Sequence, residues 1–236
     1  MNYKAMINGL EVNATYSQKS IDDLFIPLLK HLIKLQHQKK DRLIVFIAAP
    51  PAAGKSTLVH FLEHLASTEL DCQEVQSIGI DGFHYYNDYL IKHQLTSEKG
   101  SIRTFDIDKL SMYIKRLTRG PVDFPFYDRR IHNPIEDAIR VEKQVILLEG
   151  NYLASTQEKW ASLRECADYT IFITVNPQEV ASRLIHRKML SGVPLHEATY
   201  FYQNSDGKNV DYVLNNRCET DLDIKMENGE YSKNNA

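Results

Sequence analysis

The sequence predicts an α/β fold built on a doubly wound parallel sheet. Three observations carry that expectation. Short runs such as Leu43–Ala48 are apolar throughout, as strands buried on both faces are. Between them lie stretches with apolar residues three and four positions apart, the spacing of amphipathic helices. Polar segments of special composition fall at the ends of the apolar runs, where open parallel sheets bind their ligands.

The elements follow in order. Residues 3–16 hold two strand-like runs flanking Asn8-Gly9, a hairpin-turn dipeptide. Ser20 is placed to cap a helix whose residues Ile21, Leu24, Phe25, Leu28, Leu29, Leu32 and Ile33 share one face. The run HQKKDR (37–42) reads as a solvated connection. Leu43–Ala48 is the first buried strand, and Leu58, Phe61, Leu62 and Leu65 mark the helix after it. Val75–Ile80, Gln144–Leu148 and Tyr169–Val175 are further strands, the last followed by Asn176-Pro177, a helix cap and first turn. The expected organisation is a hairpin and helix (1–40) packed on the core, a main domain (41–220) and a polar C-terminal tail (221–236) with a frayed end.

The 236 residues suit one α/β domain, with 43% apolar and 25% charged residues. A net charge of −3 supplies no global basic field for nucleic acid or anionic membrane. Cys72, Cys166 and Cys218 are odd in number and lack zinc spacing, as expected of free thiols in a reducing cytosol. The first residues hold no signal-peptide core, and no apolar run approaches the ~20 residues of a membrane span. The expected compartment is the cytoplasm. The expected partner is a small molecule, with neither nucleic acid nor membrane, and a homodimer is compatible with the sequence.

Ala49–Ser56 reads APPAAGKS and fits the P-loop pattern, with Ala49 in place of the first glycine. A nucleotide triphosphate needs inward-pointing N–H groups, a mobile cation and a hydroxyl for Mg²⁺. Pro50 and Pro51 have no N–H, so the ATP-binding donors are expected from Ala52, Ala53, Gly54, Lys55, Ser56 and Thr57. Lys55 is expected to reach the β- and γ-phosphates and Ser56 to ligand Mg²⁺. The following helix adds its positive end. Asp81 ends one strand and is expected to orient and deprotonate an acceptor hydroxyl. Glu149 ends another and is expected to hold Mg²⁺ or one of its waters. A helix cap is the plainer alternative for both acids, and a salt-bridge partner a further one for Asp81.

With these motifs the chain resembles the phosphoribulokinase/uridine kinase family, which includes bacterial-type pantothenate kinases. The matching pieces are APPAAGKST, DGFH (81–84), TFD (104–106), FPFYDRRIHNP (124–134), LLEGNY (147–152) and RLIHRK (183–188), in the family's order over about residues 43–215. The resemblance implies a P-loop kinase that uses ATP and Mg²⁺. Asp81 then matches the catalytic aspartate, Lys55 the phosphate lysine, Ser56 the Mg²⁺ ligand and Glu149 the acid of the EG motif. The segment 183–188 matches the lid. Arg183 and Arg187, four residues apart, share a helix face and are expected to bind the transferred phosphoryl group, with Arg187 the catalytic one. Gly192 is a candidate hinge.

On the acceptor side, Tyr127, Asp128, Arg130 and His132 lie in a Pro-flanked loop. In the resembled family this region lines the acceptor pocket, and a turn with solvated charges is the alternative. His84 and Tyr85 follow Asp81 and are candidates for substrate contact, with a hydrogen-bonded structural role as the alternative for His84. Arg103 either binds an anionic group of the substrate or pairs with a nearby acid. The sequence leaves the acceptor open among nucleosides, sugars, sugar phosphates and pantothenate-like alcohols. A GTPase switch would carry an NKxD segment, and none is present. An ATPase, or a nucleotide-binding regulator without transfer, is the remaining alternative.

Overall fold

The computed structural model of the protein describes residues 1–7 and 9–234. Strands β1 (Asn2–Ile7) and β2 (Leu10–Thr15) pair antiparallel as an N-terminal hairpin. Asn8 lies outside the described residues; Gly9 has φ 78°, the left-handed region the turn dipeptide was expected to use. A short α1 (Gln18–Ser20), a π-helical turn (Ile21–Phe25) and α2 (Ile26–Lys39) follow. The cap of this segment is Ser17 and not Ser20, because the Ser17 hydroxyl accepts the Ser20 N–H. The Ser20 hydroxyl instead bonds the backbone of Tyr231. The run 37–42 is not wholly solvated either. Arg42 is buried and donates to the carbonyls of Leu117, Gly120, Glu142 and Lys143.

The central sheet is built from β3 (Leu43–Ala48), β4 (Val75–Gly79), β7 (Val145–Gly150), β8 (Tyr169–Val175), β9 (Leu222–Glu227) and β10 (Glu230–Lys233), in the order β10-β9-β8-β3-β7-β4. All neighbours are parallel except β9 and β10. Between the strands run α3 (Lys55–Glu69), α4 (Asn87–Lys92), α5 (Ile107–Leu117), α6 (Glu158–Arg164), α7 (Pro177–Leu190), α8 (Leu195–Phe201) and α9 (Gly207–Asn215). Alternation in β3 splits the core. Leu43, Val45 and Ile47 face α2, α3 and α7 in one cluster, while Ile44, Phe46 and Ala48 face α5 and α6 in the other. The sheet is thus covered on both sides, the doubly wound arrangement that the apolar runs predict. Among the described residues no helix is long and apolar enough to cross a membrane.

Two further expectations are corrected. The tail beyond residue 220 forms β9 and β10 of the central sheet, since Leu222, Ile224 and Met226 alternate inward. Tyr231 on β10 packs against Phe25 and Tyr16, with ring centroids 5.4 and 5.9 Å away. Of the residues expected in a loop, Tyr127 and Asp128 belong instead to the strand β5 (Val122–Asp128), while Arg130 and His132 do lie in the turn that joins it to the antiparallel β6 (Asn133–Val141), the two strands forming an arm. The arm meets the N-terminal hairpin at its turn. A Cβ on Gly9 would lie 3.5 Å from Arg130 Nε and 3.6 Å from Asp128 Oδ1.

Two measurements check this architecture. Tyr231→Ala removes an aromatic ring from the seam of the two termini and should cost about 3 kcal/mol in urea unfolding, the usual loss for such a truncation. An undiminished midpoint would mean that the tail does not dock. At the arm, hydrogen bonds from the Arg130 side chain and backbone hold the Asp128 carboxyl down at about 2, below its ordinary value of 3.8. A depressed carboxyl contributes stability that is present above 3.8 and lost as pH falls through 2. Carboxyl NMR titration should find this value, and Arg130→Ala should return it part of the way toward 3.8 and weaken that acid-range stabilisation, since the backbone N–H bonds remain.

Candidate active site

The loop after β3 carries the phosphate cradle. Ala52 has φ 59° and Gly54 φ 83°. The left-handed region suits glycine but costs an alanine roughly 1–2 kcal/mol, strain of a kind that clusters at ligand-binding loops. Ala53 N–H is spent on the Pro50 carbonyl at 3.3 Å, so it leaves the set of expected donors. Helix α3 starts at Lys55 with no side-chain cap, and the first N–H groups of a helix have no partner within it. Those of Lys55, Ser56 and Thr57 therefore sit at the positive end of a 15-residue helix, a position that favours anions.

Lys55 and Ser56 both turn to Glu149. The Ser56 hydroxyl donates to Oε1 at 2.7 Å, and Lys55 Nζ lies 3.8 Å from Oε2. Sheet register brings Glu149 there, because it pairs with Ile47 of β3 on one side and Gly79 of β4 on the other. Burial pushes the Glu149 carboxyl above its ordinary value against the pull of Lys55. One hydroxyl and one carboxylate, with phosphate oxygens and water to complete the shell, form a donor set suited to a hard divalent cation. Among the described residues no cluster of three or more His, Cys, Asp or Glu could hold a metal unaided.

Asp81 follows β4 by two residues and lies in the 3-10 turn Ile80–Phe83, where the expected strand has already ended. The arm packs directly on this turn. A Cβ on Gly82 would fall 2.2 Å from the Pro125 carbonyl oxygen, so only glycine permits the approach. That contact delivers Arg129, whose Nη2 donates to Asp81 Oδ2 at 3.2 Å. Burial pushes the Asp81 carboxyl up, but the cations around it, Arg129 foremost, hold it below its ordinary value. Lys55 and Arg187 add to that effect. Arg187, on α7, is itself lowered by burial and by Arg129, with Asp206 and Asp81 opposing.

The remaining candidates divide. His84 is half-buried, its Nδ1 3.2 Å from the Thr104 carbonyl and its ring 3.8 Å from Phe105. Tyr127 stands edge-on to His84 at 5.6 Å. Arg183 reaches the Ala52 carbonyl at 3.4 Å and so touches the P-loop. Four candidates are engaged elsewhere or exposed. Arg103 pairs with Glu98 at 2.9 Å and is largely exposed. Tyr85 stacks on Tyr89 at 4.1 Å. Arg130 is tied to Asp128 at 2.5 Å, and the His132 side chain is exposed. Sequence reasoning missed Arg129, because two adjacent arginines in one turn give no sign of which points inward. It also missed Tyr231, whose hydroxyl stands 3.3 Å from where a Gly54 Cβ would be.

No family model matches the chain. It is 39% identical over 233 residues to the uncharacterized protein YggC of Escherichia coli (strain K12), spanning 98% of both chains. It is 25% identical over 238 residues to the pantothenate kinase of Levilactobacillus brevis, covering 90% of this chain and 77% of that one. Among solved structures it resembles a protein of Silicibacter sp. TM1040 named as a candidate fructose transport system kinase. The TM-score is 0.78 at 26% identity, over 84% of this chain and 98% of that chain. The chain belongs to one family with YggC, and it resembles the P-loop kinases of the phosphoribulokinase/uridine kinase kind.

Proposed function

We propose that the chain is a phosphotransferase that moves the γ-phosphoryl group of ATP to a hydroxyl of a small metabolite. The observation that carries this reading is the Asp81 carboxylate held by Arg129 at 3.2 Å, with Lys55 and Arg187 adding positive charge around it. A nucleotide-binding regulator needs the P-loop alone. An ionised carboxylate facing the γ-phosphate position serves the acceptor instead.

The roles follow from the geometry. The N–H groups of the first turn of α3, with Lys55, hold the phosphates. Ser56 and Glu149 are the residues that would hold Mg²⁺, which supplies charge neutralisation at the β- and γ-oxygens. Arg129 occupies Asp81 Oδ2 and leaves Oδ1 for the acceptor hydroxyl. In the transfer, the acceptor oxygen bonds to the γ-phosphorus as the bond to the β,γ-bridging oxygen breaks. The hydroxyl proton passes to Asp81, and ADP leaves. Arg187 faces the charge on the moving group. Three cysteines without disulfide partners fit a reducing cytosol.

Asp81→Asn keeps the shape and removes the base. ATP affinity by calorimetry should stay within about threefold, while phosphoryl transfer falls by roughly 10³ or more, within the range for lost acid–base catalysis and positioning. Full transfer activity in this variant would remove Asp81 from the mechanism. Lys55→Ala should act differently, weakening ATP binding and transfer together, which the same two assays separate.

A further inference from the structure

Tyr231 has a hydroxyl that the fold does not use. The residue lies on β10, beyond the stretch 43–215 that carries the kinase-like motifs. Its ring packs in the seam of the two termini, against Tyr16 and Phe25. Its phenol oxygen stands 3.3 Å from the position a Gly54 Cβ would take, and no other side chain or distant backbone atom lies within 4 Å of that position. The hydrogen bonds that Tyr231 makes among the described residues all run through its backbone. They pair it with β9, and they tie its N–H and its carbonyl to the Ser20 hydroxyl at 3.0 and 3.1 Å.

The surroundings hold this hydroxyl in place. Glu230, next in the strand, accepts from the hydroxyls of Ser17 and Ser20 and pins β10 to the start of the N-terminal helical segment. On the other flank, Glu179 of α7 accepts the Asn228 N–H at 3.1 Å, in the turn between β9 and β10, and Arg183 at 3.4 Å. Arg183 in turn meets the Ala52 carbonyl at 3.4 Å and Met226 Sδ at 3.6 Å. The C-terminal hairpin is thus joined to the P-loop twice, at Gly54 through Tyr231 and at Ala52 through Arg183. Burial pushes the Tyr231 phenol up to about 12 against the pull of Arg183, so the group keeps its proton and remains a donor at neutral pH. A packed phenol with no protein acceptor is fitted to an external one. The acceptor that this loop would offer is a phosphate oxygen, because Gly54 leads directly into the open N–H groups of α3. The loop is also short of donors of its own: Pro50 and Pro51 have none, and the Ala53 N–H is spent on Pro50.

We propose that Tyr231 is a nucleotide-binding residue whose hydroxyl donates to a phosphate oxygen of ATP seated on the P-loop, so that the hairpin β9–β10 forms a wall of the nucleotide site. This rests on the reading of the P-loop as an ATP site, and it adds a donor from outside the kinase-like motifs. The C-terminal strand then has two tasks, closing the sheet and completing the phosphate cradle. Because the same ring lies in the seam of the termini, bound nucleotide and docked tail stabilise one another by equal amounts.

The test compares the full chain with Tyr231→Phe, which keeps the ring in the seam and removes only the hydroxyl. Calorimetry in the presence of Mg²⁺ measures the binding of ATP and of inorganic tripolyphosphate, so no phosphoryl acceptor is needed. Both ligands should bind about tenfold more weakly to Tyr231→Phe, the worth of one hydrogen bond to a charged group, while the melting temperature of the unliganded chain stays as it was. The rise in melting temperature at a fixed ATP concentration should shrink in step. Unchanged affinity for both ligands overturns the inference, whether or not the unliganded melting temperature falls, since a hydroxyl that serves only the fold would move that temperature alone. Weaker binding of ATP with unchanged binding of tripolyphosphate overturns the phosphate contact and moves the hydroxyl to the nucleoside part. Either result leaves the ATP-site reading standing, provided that the wild type binds ATP. A wild type that binds neither ligand overturns both.

Discussion

The buried carboxylate of Glu149 is the constraint on which the site depends. Its side chain is 5% exposed, at the end of a central strand, and it is held by one ammonium and one hydroxyl from the first two residues of α3. Both ions are desolvated, so removing either leaves the other as an uncompensated buried charge, a loss of several kcal/mol. The pair therefore fixes the P-loop helix to β7 and sets the reach of Lys55. Glycine at the end of β4 leaves room for the carboxylate: a Cβ on Gly79 would come within 2.9 Å of Glu149 Oε1.

Around this fixed half the molecule adds a second half made of sequence-distant pieces. Gly82 lets the β5–β6 arm lie against the Asp81 turn, and the arm then presents Arg129 to that carboxylate. The N-terminal hairpin supports the arm at Asp128 and Arg130, and the same hairpin leads into the helix that meets Tyr231 of β10. The N-terminal hairpin thus packs beside the arm and β10 beside the P-loop. Positioning of this kind is what phosphoryl transfer demands of a protein, since most of the barrier reduction comes from placement and charge.

The parts legible in the sequence are those whose signal is local. Leu43–Ala48 is apolar at every position, and the buried strand follows. The P-loop and Asp81 stand at the ends of such strands, where topology alone assigns them to one crevice. The parts that were not legible depend on distant partners. Leu222, Ile224 and Met226 carry the alternation of a strand, but the polar residues between them make the segment read as a tail. Arg129 and Arg130 are chemically identical neighbours, and only the turn of the arm sends one to Asp81 and the other to Asp128.

The central claim is that the γ-phosphoryl group passes to a metabolite and not to water. Incubation of the purified chain with γ-labelled ATP, Mg²⁺ and a deproteinised extract of small metabolites measures this directly. Label in an organic phosphate, formed only when the extract is present, is the expected result. Label recovered solely as inorganic phosphate, at a rate indifferent to the extract, would contradict the account.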